Sequence, residues 1–306
     1  MKVLVHNRDP QLWVGGDAIQ VKNTIKALRT LGLSVDFTAN SFTDVSQYDL
    51  VHVFHVNFFW TTPLMQACID QGKPYILSAI YFDKEIDNNF ATMKQLIFKA
   101  KKVIALSVRE KQEIIKRFQC DPRHVLVIPN GVDKTIFYES NPNFGTQSNR
   151  RGVISVGRLS DRAKGADLVI NACYKAGIPL TYIGQSDESS FNWDLEKKCH
   201  HLERVSQREL AKIYNQHKVY VCSSLSERQS LGVLEAKACG CNIVDSIFNR
   251  GNDLLPSSVV VDPRDENSLI KAINQQLKSF YQPDFVPSWL DIAKKIAEIY
   301  EQSIKK

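Results

Sequence analysis

The sequence predicts an α/β protein built from two doubly wound domains. Short β-rich runs alternate with segments of helical periodicity, and an aperiodic linker divides the runs into two sets of six. Length agrees, because 306 residues exceed what one core usually serves.

In the first half the expected strands are Val3–His6, Val35–Thr38, Leu50–Val56, Tyr75–Ser78, Val103–Ser107 and Val125–Pro129. Several are almost continuously apolar, as parallel strands covered on both faces must be. Asp17 is placed to cap a helix whose apolar face is Val21, Ile25 and Leu28, stopped by Gly32. The linker runs from Glu139 to Arg151, rich in turn formers and without periodicity. Six further strands follow: Val153–Gly157, Leu180–Gly184, His201–Val205, Val219–Ser223, Asn242–Ser246 and Ser258–Asp262. Ser206-x-x-Glu209 reads as a capping box ahead of Leu210, Ile213 and Tyr214. The expected boundaries are 1–143 for an N-terminal domain and 150–284 for a second, ligand-binding one. Residues 285–306 form a closing helix that returns to the first. Two such domains leave a cleft, and ligands in these sheets bind outside the carboxyl ends of the strands.

Composition narrows the function. Hydrophobic residues at 43% and charged residues at 24% exclude disordered and fibrous classes. No apolar run is long enough to span a bilayer. MKVLVHNRDP lacks the apolar core of a signal peptide, and seven cysteines without framework spacing suit reduced thiols. The expectation is a cytoplasmic protein. Cys199-His200-His201 does not supply four paired zinc ligands, so no metal is expected there. The net charge is +6, and residues 94–117 hold eight basic side chains against Glu110 and Glu113. That segment is either a solvated helix face or a contact for anionic lipid, possible at an inner membrane surface. No nucleic-acid motif occurs.

Dinucleotide, P-loop and hydrolase signatures are absent: there is no GxGxxG after the first strand, no GxxxxGK[ST] and no GxSxG. No Asp-x-Asp pair is present to hold a metal on a diphosphate. Three strand ends carry chemistry instead. Gly15 and Gly16 open a helix and let backbone amides approach an anion, although glycines also serve simply to make the turn. Arg158 and Lys164 share one strand-to-helix loop, as a planar fork and a point charge suited to a pyrophosphate, or as solvated loop cations. Glu227 and Glu235 stand eight apart, with Ser230 as the N-cap of the helix that carries Glu235. Free amides near Ser230, Leu231 and Gly232 then lie between two carboxylates, an anatomy that suits a nucleotide sugar.

At these residues the chain resembles the retaining glycosyltransferases of family four, glycosyl transferases group 1, which have the two-domain GT-B fold of facing Rossmann-like domains. The resemblance rests on Gly157-Arg-Leu…Lys-Gly165, the Glu-x7-Glu stretch into Ala-Lys-Ala-Cys-Gly240, and Val259-Val-Val-Asp-Pro-Arg-Asp265. In the first half it rests on Gly15-Gly16, Asp49-Leu-Val-His-Val53, Ala105-Leu-Ser-Val-Arg-Glu110 and Ile128-Pro-Asn-Gly-Val-Asp133. It implies that Arg158 and Lys164 hold the donor diphosphate. By the same resemblance Glu227 faces the transferred sugar or its β-phosphate, and Glu235 bonds the ribose hydroxyls. Leu231 and Gly232 would present amides to the phosphates, the Val205 backbone would meet the base, and Gly16 would approach phosphates and acceptor.

Three departures stand out. Arg228-Gln-Ser230 follows Glu227 where the family often has Ser/Gly-Phe-Gly, Asn242 replaces a usual Pro, and Ser78-Ala-Ile-Tyr-Phe-Asp83 lacks a first-domain His. The expected activity is transfer of a hexose from a UDP-, GDP- or ADP-sugar to a glycan or lipid-linked hydroxyl, with retention and without metal or other cofactor. The rivals are a GT-B sugar-nucleotide epimerase or hydrolase and a catalytically silent nucleotide-sugar-binding homologue. His55-Val-Asn-Phe-Phe-Trp60 offers aromatics for an acceptor platform or for core packing. His52 and His55 read as structural rather than ligating.

Overall fold

The computed structural model describes residues 1–9, 15–56, 60–81, 89–140, 150–185, 195 and 197–305. The chain divides into two compact units, Met1–Gly131 with Pro287–Lys306, and Val132–Val286. Trp13, Phe58, Phe59 and most of the linker lie outside the described residues.

The first unit holds strands β1 (Lys2–His6), β2 (Ser34–Thr38), β3 (Leu50–Phe54), β4 (Tyr75–Ser78), β5 (Lys102–Ala105) and β6 (Val125–Val127). They form one parallel sheet in the order β2-β1-β3-β4-β5-β6, with Val3 opposite Val35 on one side and Leu50 on the other. Helices α1 (Gly16–Thr30), α2 (Thr62–Asp70), α3 (Phe90–Lys99) and α4 (Val108–Phe118) supply the crossovers. Side chains from β3, β4 and β5 fill one core with Leu64, Met65, Ile97, Ile114 and Phe118. Each such apolar side chain contributes about 1.5–3 kcal/mol by leaving water. Ser107 caps α4 by accepting from Glu110 N at 3.0 Å.

The closing helix, residues Trp289–Ile304, packs against α1 in this unit. Ser288 and Asp291 form a reciprocal capping box at its start, with bonds of 3.1 and 2.9 Å. Its anchor is a buried polar chain: the Tyr300 hydroxyl meets His52 Nδ1 at 2.6 Å, and His52 Nε2 meets Ser78 Oγ at 2.9 Å. Burial pushes the His52 imidazole down to about 3, so it stays neutral, in keeping with a structural role. Tyr300→Phe would strand a buried ring nitrogen. The expected loss is about 1–3 kcal/mol, read as a lower urea midpoint at unchanged m-value.

The second unit holds β7 (Val153–Val156), β8 (Leu180–Ile183), β9 (His200–Leu202), β10 (Val219–Val221), β11 (Asn242–Ser246) and β12 (Val259–Val261). This sheet is also parallel, in the order β12-β11-β10-β7-β8-β9. Its helices are α5 (Ala166–Lys175), α6 (Gln207–Gln216), α7 (Leu231–Ala238) and α8 (Glu266–Lys278), so the closing helix is α9. Two cores flank the sheet, one around Val169, Ile170, Leu269 and Ile273, the other around Tyr214, Tyr220, Val233 and Leu234.

Local expectations need four corrections. Val132 and Phe137 are buried in the second unit's core, so the first unit gives way at Gly131 rather than 143. Val286 belongs to that same core, and the first unit resumes at Pro287 rather than 285. Asp17 caps nothing, because Gly15 is the N-cap of α1 and the carboxylate is engaged elsewhere. Ser206 accepts from Glu209 N at 3.2 Å, which gives a one-sided cap in place of the expected capping box.

Candidate functional site

In each sheet the strand order reverses once, and a crevice opens where the crossovers diverge to opposite sides. In the second unit that point is between β7 and β10, which Ser155 ties together by donating to Val221 O at 2.8 Å. The loops leaving these two strands carry Arg158, Lys164 and Glu227. They are stitched to one another: Leu225 N donates to Ala163 O at 2.7 Å, and Ser223 Oγ to Lys164 O at 3.1 Å. Gly165 lets the first loop turn at φ +61°, where a Cβ would run into the Ser223 carbonyl oxygen.

Three candidate residues fall into two ion pairs here. Lys164 Nζ donates to Glu227 Oε2 at 2.5 Å, with side chains 27% and 19% exposed. Burial alone would lower the Lys164 ammonium, but the Glu227 charge wins and holds it above its ordinary value. Arg158 is 57% exposed and pairs with Asp161 at 2.6 Å, within the same loop. Asp161 also caps the short turn Arg162–Lys164 by accepting from Ala163 N at 3.0 Å. The arrangement is thus one half-sheltered, compensated pair beside one accessible guanidinium.

Ser230 caps α7 as expected, accepting from Val233 N at 3.4 Å. The first amides of such a helix lack intrahelical partners, and Leu231 and Gly232 stand there. Gly232 has a second reason to be glycine. A Cβ would lie 2.5 Å from the Tyr220 hydroxyl and 3.5 Å from that of Tyr214, two fully buried rings in edge contact. Tyr220 is in turn hydrogen-bonded to Ser230. Gly232→Ala should therefore cost about 2 kcal/mol of stability, partly recovered by adding Tyr220→Phe. Denaturant midpoints of the two single variants and the double variant decide this, and an unchanged Gly232→Ala would refute the packing account.

Glu235 lies on α7, half-buried, with no hydrogen-bond or ion-pair partner among the described residues. Burial pushes its carboxyl up to about 8. Such a group is suited to accept bonds from ligand hydroxyls that the protein does not supply. Val205 is not the end of a strand, as the sequence suggests. β9 stops at Leu202, and Val205 sits half-buried in the loop before Ser206.

In the first unit the reversal falls between β1 and β3, and the structure gathers a cluster there that sequence reasoning missed. Asp17, in the first turn of α1, accepts from Arg8 Nε at 2.7 Å and Nη2 at 2.8 Å. It also meets His55 Nε2 at 3.2 Å. Burial would raise the Asp17 carboxyl, yet the bonds and charges of His55 and Arg8 hold it well below the carboxylate range. Gly15, extended, leaves room for Asp17, since a Cβ would lie 2.8 Å from Asp17 Oδ1. Gly16 then opens α1. No spacing rule links Arg8, Asp17 and His55, because their meeting depends on β1 and β3 being neighbours. Among the described residues, no group of three or more His, Cys, Asp or Glu is placed to hold a metal ion.

Two family models match. Glycosyltransferase Family 4 covers residues 23–135, and Glycosyl transferases group 1 covers 150–279. The chain is 24% identical over 75% of its length to a phosphatidylinositol N-acetylglucosaminyltransferase subunit of Arabidopsis thaliana. It is 28% identical over 47% of its length to the alpha-maltose-1-phosphate synthase of Mycolicibacterium smegmatis. The matches take in 54% and 43% of those proteins, so the chain spans about half the length of the curated relatives it matches. Its fold is that of a sucrose-phosphate synthase from Thermosynechococcus elongatus (16% identity, TM-score 0.78, 98% of both chains). It is likewise that of Anabaena HepE in complex with UDP (16% identity, TM-score 0.72, 99% and 98% of the two chains).

Proposed function

The chain belongs to the family 4, group 1 glycosyltransferases with the GT-B fold, and from that premise we propose that it transfers a hexose from a nucleoside diphosphate sugar to a hydroxyl acceptor with retention of configuration. The observation that carries this reading is the Lys164–Glu227 pair at 2.5 Å at the β7/β10 crevice, beside the exposed Arg158 and the unpartnered Glu235.

Each residue has a task. Arg158 and Lys164 hold the diphosphate and offset the charge that develops as it leaves. They are joined by the Leu231 and Gly232 amides at the start of α7. Glu227 faces the sugar or the β-phosphate and keeps the Lys164 ammonium charged and aimed. Glu235 accepts from the ribose hydroxyls, and the Val205 backbone meets the base. In the first unit, Gly15 and Gly16 let backbone amides at the start of α1 approach the donor phosphates, and Gly16 also approaches the acceptor. The anomeric carbon–oxygen bond breaks with the electrons going to the diphosphate, the acceptor oxygen bonds to the same face, and the acceptor proton passes to the departing phosphate oxygen.

UDP-sugars are the first donors to try, because Anabaena HepE is described in complex with UDP. A lipid-linked acceptor is supported by the phosphatidylinositol N-acetylglucosaminyltransferase relative and by the basic run over α3 and α4. Peripheral contact with an anionic membrane would follow. No helix of the described residues is long and apolar enough to cross a membrane.

The test is nucleoside diphosphate release from UDP-, GDP- and ADP-sugars, with EDTA and with or without glycan and phosphoinositide acceptors. Slow release from one donor that rises with acceptor, giving the retained anomer by NMR, is the expected result. Fast release without acceptor would replace transfer by hydrolysis or epimerisation. Donor binding without turnover against any acceptor would make the chain a binding protein.

A further inference from the structure

Behind the Glu227 loop lies a charged residue that no sequence signal singled out. Asp245 ends its side chain in a fully buried position near the C-terminus of β11. It accepts from Asn249 Nδ2 at 3.1 and 2.8 Å and from Ser246 N at 2.8 Å. Asn249 is itself buried, and its Oδ1 accepts from Gly251 N at 3.2 Å, so both ends of the amide are engaged. Asn249 pairs with Glu227 in an isolated parallel bridge. Glu227 N donates to Phe248 O at 3.2 Å and Arg250 N donates to Glu227 O at 3.1 Å. The backbone of Glu227 is thereby gripped on both sides by a segment whose central side chain is held by Asp245.

We propose that Asp245 is a positioning residue for Glu227, acting through Asn249 and the 248–250 segment to set where the Glu227 carboxylate meets Lys164. This rests on the reading of Glu227 as a donor-facing group. The physical argument is one of cost and geometry. A buried carboxylate is expensive unless donors surround it, and here the donors belong to the segment that clamps Glu227. As an ionised acceptor Asp245 satisfies both Asn249 and Ser246. Once protonated it gives up acceptor capacity toward Asn249 Nδ2 and Ser246 N, two groups that can only donate.

The groups facing Asp245 come from each element around it. The Cys222 thiol bonds to it from just beyond β10, and Tyr220 on β10 interacts with it. Glu227 adds a like charge, and Val260, the register partner of Asp245 on β12, does not titrate. Burial, with Glu227 adding, pushes the carboxyl up to about 7, against the Ser246, Asn249 and Cys222 bonds. The clamp is therefore complete above that pH and loosens below it.

The experiment compares wild type, Asp245→Asn and Asn249→Ala by donor turnover at saturating donor between pH 6 and 9. Hydrogen–deuterium exchange of the peptides around 222–230 and 246–252 is measured alongside, on the unliganded full chain. Wild-type kcat should rise through about pH 7 and level off. Asp245→Asn should lose at least about tenfold in kcat at pH 8, show no such rise, and keep KM within about twofold. Asn249→Ala, which leaves Asp245 in place, should lose a similar factor in kcat. In both variants exchange should quicken in both peptides. Wild-type kcat and pH profile in Asp245→Asn would overturn the proposal. So would faster exchange at 246–252 that does not spread to 222–230, or a loss that appears only in KM. If wild type turns over no nucleotide sugar, the functional reading fails, while the exchange result still decides whether Asp245 positions Glu227. If Asp245→Asn does not fold, Asn249→Ala carries both readouts.

Discussion

Arg158→Ala should reduce nucleoside diphosphate release with acceptor by about 10³-fold while leaving the fold intact. The side chain is 57% exposed, and its ion-pair partner Asp161 lies three residues away in the same loop. An exposed pair of this kind contributes little to stability, so the melting temperature should hardly move. What is lost is a fixed cation for the departing diphosphate, where charge stabilisation counts most. Arg158→Lys should recover only part of the rate, because an ammonium cannot bridge two phosphate oxygens as a planar fork does. Full turnover in Arg158→Ala would remove the assignment of this loop to the leaving group.

The second large effect is a pH dependence of donor affinity set by Glu235. Partial burial without a donor pushes its carboxyl up to about 8 in the unliganded protein. Two ribose hydroxyls donate more strongly to the ionised form, which is acceptor-only, than to the neutral acid, so binding pulls the group toward ionisation and releases a proton. Affinity is therefore weak at low pH, where a proton must be removed, and strengthens as pH rises. The apparent Kd for UDP-glucose, whose diester diphosphate does not titrate in this range, should fall about tenfold per pH unit from 6 to 8 and then level. Calorimetry in buffers of different ionisation heat should show the proton leaving. Glu235→Gln should bind with a flat profile. A pH-independent wild-type Kd, or the same slope in Glu235→Gln, would show that Glu235 does not meet the ribose.

Much of this site is legible in the chain because strand ends and helix starts are local events. Ser230 announces a helix N-terminus by its hydroxyl and its place before Leu231, and α7 begins there. Glu227 and Lys164 are visible as charged residues just past apolar runs, where the loops of a parallel sheet must emerge. Val205 fails the same test. Its β-branched side chain extends the apparent strand, but β9 is only three residues long and ends at Leu202. Asp17 fails in another way. Its position in the sequence suits a helix cap, yet Arg8 and His55 offer it stronger, charge-assisted bonds.

Sequence alone determined the alternation of strand and helix, the two-domain plan, the loops that carry Arg158, Lys164 and Glu227, and the helix that carries Glu235. These follow from periodicity, turn chemistry and the placing of polar residues, all read over a few neighbouring positions. Tertiary structure alone decided which loops touch. It brings β7 beside β10, so that Lys164 pairs with Glu227 across 63 residues of chain. It places β1 beside β3, so that Arg8 and His55 converge on Asp17. It also sets Tyr220 under Gly232 and buries Asp245 behind the Glu227 clamp. The reason is that a parallel sheet makes neighbours of strands far apart in the chain, and hydrogen bonds, charge pairing and burial act on distance in space rather than along the sequence.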